Sequence, residues 1–159
     1  MGCTPEFLPG YRPITDSNAL SSLASEWGVD SLQFGSDNPA NDLLRNCAEG
    51  TIKFLHIAGE DPVHSFYKGS EIKNALQTVP FLVVQDVYMT ETAKLADIIL
   101  PTTTYTEKEG SFTNMTRHVQ KVTPATSPQN QSRTDHDIFV QLAEVFGKKL
   151  KSSSVSEVQ

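Results

Sequence analysis

Three short stretches carry side chains able to recognise a polar ligand. The first is Gly59-Glu60-Asp61-Pro62, with Ser65 close behind. The second is Gln85-Asp86, followed by Thr90 and Thr92. The third is Pro101 with Thr102-Thr103-Thr104, leading to Glu107-Lys108-Glu109-Gly110. Carboxylates and carboxamides suit the exocyclic amine and ring N–H of a purine, and hydroxyls at a helix start suit a phosphate. Asp, Gly and Pro after a strand are also what any turn uses. Spacing alone therefore leaves open both a nucleotide-like ligand and plain turns. Neither GxGxxG nor GxxxxGKS/T occurs, so an NAD fingerprint and a P-loop are both missing.

Other chemistry finds less support. His56 lies inside an apolar run and reads as a hydrogen-bonded core residue. His64 follows Asp61 without a second His or Cys to complete a metal set, and His118 and His136 have no nucleophile in an elbow motif. No serine sits in GxSxG. Glu107 and Glu109 flank a turn and read as solvated. Cys3 and Cys47 form neither a CxxC pair nor an iron–sulfur run, and Cys47, among Leu43, Leu44 and Ala48, reads as a small buried hydrophobe. No catalytic constellation is built wholly from these residues.

The candidate stretches must be positioned by the elements before them. Residues 52–58 form an apolar run stopped by Gly59. Ser70 reads as the cap of a helix with Ile72, Ala75, Leu76 and Val79 on one face, and Pro80 ends it before a second run over 81–84. A short helix over 91–96, capped by Thr90, precedes a third run over 98–100. Near-continuous apolar strands alternating with helices predict parallel βαβ units. The fold class expected is therefore α/β, a parallel-sheet, dinucleotide-binding-like (Rossmann-like) domain.

Residues 101–133, rich in Thr, Asn and Gln, read as a long irregular loop. Thr134 and Asp137 then fit a capping-box variant opening a helix with Ile138, Phe139, Leu142, Ala143, Val145 and Phe146 on its apolar face. Upstream, a Pro-rich arm precedes a helix capped by Asp16 or Ser17, with Ala19, Leu20, Leu23, Ala24 and Trp27 on one face and Gly28 at its end. A second helix is expected over 39–49. The organisation expected is an arm with helices over 1–50, the α/β domain over 51–148 and a tail over 149–159.

The 159 residues carry 13 Lys and Arg against 19 Asp and Glu, a net charge of −6. Without a basic cluster, a nucleic-acid surface is not expected. No run approaches the ~18 consecutive apolar residues of a membrane-spanning helix, and no basic-then-apolar leader opens the sequence. The expected location is cytoplasmic, or peripheral to the inner membrane through a complex. One domain's length is too short for a large multi-cofactor redox enzyme.

Residues 81–120 read FLVVQDVYMTETAKLADIILPTTTYTEKEGSFTNMTRHVQ. This stretch resembles the molybdopterin oxidoreductase family, whose members share a QD–TETA–ADxxLP–EKEGTFTN–RxVQ progression. The upstream IAGEDP resembles the family's GEDP or GENP loop, and Asp135-His136-Asp137-Ile138 resembles its D-W/H-x-I position. The resemblance runs from residue 1 to about 148. Pro9-Gly10-Tyr11, Thr15-Asp16 and Trp27-Gly28-Val29 look most like a formate dehydrogenase alpha chain, with the G subunit of NADH–quinone oxidoreductase next.

The resemblance implies a domain holding one guanine-dinucleotide arm of a molybdopterin guanine dinucleotide cofactor. By position, the residues implied are Asp61, Ser65, Gln85, Asp86, Lys108 and Asp135. It also implies partners, either an upstream catalytic half or other subunits of a redox complex. The family's molybdenum ligand and Cys-rich iron–sulfur segment have no counterpart in this sequence. Thr116 stands where the family usually has Glu, and His118 where it has a second Arg. Asn130 stands near the family's usual Gly before the D-W helix, since Asn tolerates positive φ. A cofactor-free α/β scaffold or interaction module is the alternative reading.

Overall fold

The computed structural model describes residues 7–8, 10–32 and 39–149. Two units divide between Ile52 and Lys53. In the first, β1 (Phe7–Leu8) and β2 (Arg12–Pro13) pair antiparallel. Gly10 and Tyr11 both take positive φ in the turn between them. Helix α1 (Ser17–Trp27) starts where Asp16 accepts the N–H groups of Asn18 and Ala19 at 3.0 and 3.1 Å. That satisfies donors a helix start otherwise leaves unpaired. Gly28, at φ 65°, closes it in the left-handed conformation glycine favours. Ala19 and Ala24 are buried, whereas Trp27, expected on the same apolar face, is 60% exposed. Helix α2 (Pro39–Ala48) opens on a proline and buries Cys47 completely, and burial pushes the thiol's pKa up. The arm before Phe7 and the tail beyond residue 149 lie outside the described residues.

The second unit is built on three parallel strands in the order β3 (Leu55–Ala58), β4 (Leu82–Asp86), β5 (Ile98–Pro101). Register sets His56 beside Val83 and Val83 beside Ile98, then Ala58 beside Gln85 and Gln85 beside Leu100. Central β4 is the most buried, with Leu82, Val83, Val84 and Gln85 all inside. The Asp97 carboxylate accepts the Leu82 N–H at 2.7 Å and so ties the start of β4 to that of β5. The α/β class and the parallel arrangement agree with the sequence reading.

The connections differ from it in detail. After Gly59 (φ 66°), a four-residue turn of helix, α3 (Pro62–Ser65), precedes α4 (Gly69–Gln77), which buries Ile72, Ala75 and Leu76. The cap of α4 is Lys68, at φ 70°, not Ser70, which lies inside the helix. Gly69 is obligatory there because a Cβ would fall onto the Val63 carbonyl oxygen. The helix expected over 91–96 is a single 3₁₀ turn, Ala93–Leu95, whose cap position is Thr92 and not Thr90, although the Thr90 hydroxyl oxygen accepts the Ala93 N–H at 3.1 Å.

Residues 101–133 are not structureless. Strands β6 (Gly110–Thr113) and β7 (Val119–Val122) pair antiparallel as a hairpin. At its tip the Asn114 side chain accepts the N–H groups of Thr116 and His118 and the Thr116 hydroxyl. Of the departures from the family pattern, Thr116 thus contributes its hydroxyl to the turn, whereas His118 contributes only its backbone N–H. Asn130 takes φ 52°, the conformation expected of it. Helix α5 (Asp135–Val145) opens on Thr134, whose Oγ1 accepts the Asp137 N–H at 3.1 Å and donates to Asp137 Oδ2 at 2.7 Å, so Asp137 meets the cap's hydroxyl and not its backbone N–H as a capping box would. Among the described residues no helix is long and apolar enough to cross a membrane.

Candidate functional site

The carboxyl ends of β4 and β5 converge on the first turn of α5. Gln85 is wholly buried near the end of β4, and its Nε2 donates to Asp135 Oδ1 at 2.7 Å. Thr102, directly after β5, donates its hydroxyl to the same oxygen at 2.7 Å. Lys108 donates from Nζ to Asp135 Oδ2 at 2.5 Å. Three elements far apart in sequence are thereby joined through one carboxylate.

Local structure explains how each side chain arrives. Thr134 caps α5 and sets Asp135 in its first turn, where the partial positive charge of a helix start favours an anion. Lys108 follows a turn fastened by Glu107, whose Oε2 accepts the Thr104 N–H at 2.8 Å and the Thr104 hydroxyl at 3.2 Å. Glu107 is therefore buried and structural, contrary to the solvated reading. Partial burial pushes the Asp135 carboxyl up. The hydrogen bonds from Lys108, Thr102 and Gln85, with the lysine's charge, outweigh it and hold the pKa below its ordinary value.

A second cluster links the ends of β3 and β4. Asp61 Oδ1 accepts the Thr92 hydroxyl at 2.5 Å and the Thr92 N–H at 3.2 Å. Thr92 Oγ1 in turn accepts the Val63 N–H at 3.2 Å. Ser65 donates to Glu60 Oε1 at 2.5 Å and to the Asp61 carbonyl at 2.9 Å. Asp86 accepts the Tyr88 N–H at 3.0 Å, an Asx turn leaving β4.

Of the six residues singled out, Gln85, Lys108 and Asp135 meet directly. Asp61 and Ser65 belong to the loop after β3, and Asp86 holds a turn. The carboxylate's third donor, Thr102, and the partner of Asp61, Thr92, were visible only as threonines following strand ends. Nothing in the sequence marked Glu107 as buried.

Two buried polar atoms near these strand ends, Gln85 Oε1 and Thr103 Oγ1, make no hydrogen bond among the described residues. His56 Nε2 is a third, so His56 is not the hydrogen-bonded core residue expected. Its ring instead packs on Phe139, with centroids 5.7 Å apart. No group of three or more His, Cys, Asp or Glu suited to a metal ion occurs among the described residues.

Residues 9–145 match the family model described as molybdopterin oxidoreductase. The chain is 38% identical, over 99% of its length, to the F420-dependent formate dehydrogenase 2 subunit alpha of Methanococcus maripaludis, covering 23% of that protein. It is 32% identical to formate dehydrogenase H of Escherichia coli, over 99% of the chain and 22% of the relative. It is likewise 32% identical to an NADH-quinone oxidoreductase G subunit of Rhizobium meliloti, over 97% of the chain and 18% of the relative. The fold is similar to that of acetylene hydratase from Pelobacter acetylenicus, with a TM-score of 0.62 at 20% identity, covering 76% of this chain and 18% of that one. The chain thus spans about a fifth of the length of the relatives it matches. With the model matched over most of its length, the chain belongs to the molybdopterin oxidoreductase family.

Proposed function

We propose that this chain is a partial molybdopterin-oxidoreductase-type subunit that contributes to a redox complex of the formate dehydrogenase kind. In it the chain cradles one guanine-dinucleotide arm of the molybdopterin cofactor. The observation that carries this reading is the buried, unpaired Gln85 Oε1 beside the Thr102–Lys108–Asp135 cluster, at the carboxyl ends of a parallel sheet. Ligands of open α/β sheets bind on that side. A buried acceptor without a donor costs about 1–3 kcal/mol, and a guanine N–H or amine is a donor of the right kind.

Gln85 and Thr103 would supply hydrogen bonds to the base or ribose, and Lys108 a charge toward phosphate or pterin oxygen. When bound, the cofactor supplies a metal centre for electron transfer. The residues of this chain hold and orient its arm. In this reading the family's catalytic half and the other subunits complete the complex.

One observation favours the alternative, a cofactor-free scaffold. Asp61 and Asp135 already receive internal donors, two and three respectively, as structural carboxylates do. The two readings part in one experiment. The chain is produced in a molybdopterin-making host with the missing family portion supplied, and retained pterin is read by the fluorescence of its oxidised form. The cofactor reading expects pterin in the wild-type complex and about a tenfold loss in Gln85→Ala, roughly the worth of one buried hydrogen bond. A stable complex without pterin would leave the scaffold.

A further inference from the structure

We infer that the groove between the outer side of β5 and helix α5 seats an extended apolar segment of the polypeptide that accompanies this fold in its relatives. The inference rests on family membership and deepens the partner side of the proposed function, not its cofactor side.

A parallel sheet is normally covered on both faces, and here cover is uneven. Central β4 is buried, whereas on β5 Ile98 is 44% and Ile99 37% exposed. On the side of β5 away from β4 lies a groove of about 690 Å³, lined on its apolar part by Ile99, Leu100, Ile138, Leu142 and Val145. Val145, on the last turn of α5, is 81% exposed.

Strand pairing along that side begins and stops at a single point. Arg133 bridges to Thr102 in the parallel sense, donating its N–H to the Pro101 carbonyl at 3.2 Å. Immediately before it, the Gln129–Ser132 turn and the positive φ of Asn130 carry the chain away from β5. Below Pro101, no strand among the described residues lies beside this edge. An exposed apolar edge is a template for another strand.

The chemistry of the groove selects the occupant. Arg133 is the charged residue of its lining, and its guanidinium already donates to Gln141. An entering segment therefore meets aliphatic side chains, edge peptide groups and one guanidinium already hydrogen-bonded to Gln141. The source is the remaining family polypeptide, since the chain accounts for only 23% and 22% of the first two relatives described.

The test uses the full chain, tagged, co-produced with the Methanococcus maripaludis subunit from which the matching segment has been deleted. Val145→Lys and Val145→Glu charge the groove, and Asn74→Lys adds a charge on the exposed side of α4. The wild-type chain and Asn74→Lys should retain the partner, while both groove variants lose it at least about tenfold. Each isolated variant should melt within about 2 °C of wild type, because the altered side chains are solvent-facing. Three outcomes overturn the inference: no association of the wild-type chain, retention by the groove variants, or a homodimer that Val145→Lys splits. Pterin, measured on the same samples, separates this from the cofactor reading. A complex dependent on the groove but lacking pterin removes only the latter.

Discussion

Lys108 Nζ sits 2.5 Å from Asp135 Oδ2, across 27 residues of intervening chain. The pair fastens the turn before the β6–β7 hairpin to the start of α5, and its two side chains remain about a third exposed. Water and salt therefore screen it. Lys108→Met should cost about 1 kcal/mol, less at high ionic strength, as urea denaturation at two salt concentrations would show.

The pH dependence has a definite sign. Asp135 has a lower pKa in the folded chain than its ordinary 3.8, because its three donors outweigh partial burial. Its ionised form thus stabilises the fold above that value, and the contribution disappears as the pH falls through the folded pKa. Replacing Asp135 with Asn should flatten the loss of stability below about pH 4, while a variant distant from the cluster keeps it. Parallel acid titrations of melting temperature would check this.

The Asp61–Thr92 link predicts a larger effect, since Thr92 is wholly buried. Thr92→Val keeps the shape but removes the hydroxyl that donates to Asp61 and accepts from Val63. A loss of about 1–3 kcal/mol is expected by chemical denaturation, and Thr92→Ser should recover much of it.

Gly69→Ala tests the start of α4. Alanine ordinarily favours a helix, yet here its methyl would meet the Val63 carbonyl oxygen. Destabilisation of about 1–3 kcal/mol is expected from the forced backbone shift. Equal or higher melting temperature would show that the α3–α4 connection yields more easily.

The sheet was legible in the sequence because its strands are apolar runs set off by Gly59, Pro80 and Pro101, although only central β4 is buried along most of its length. The helix ends at Asp16, Gly28 and Thr134 were legible because each carries a residue whose side chain or freedom at φ does the capping. The hairpin was not. Its strands are four residues long and largely exposed on both faces, so no alternation of polar and apolar residues marks them. Lys68 was equally hidden, since nothing in a lysine side chain signals a positive φ.

Within the site, Gln85 and Asp61 could be picked out because they follow strands. Lys108 and Asp135 came from the resemblance alone. Their meeting depends on the path of the chain between them, which no local pattern records.

The bridge between Thr102 and Arg133 has a consequence for how this fold can vary. The chain leaves β5 at Thr102 and returns to the same spot, where the Thr103 N–H reaches the Arg133 carbonyl at 3.1 Å. Everything between is an excursion with its ends pinned together, outside the ladder of β3, β4 and β5. Lengthening such a closed loop is thermodynamically cheap, about 0.6 kcal/mol for each doubling. The hairpin can therefore be enlarged or trimmed while the strand ends that carry Gln85 and Thr102 stay in register, which makes it the region where length can change without redrawing the sheet.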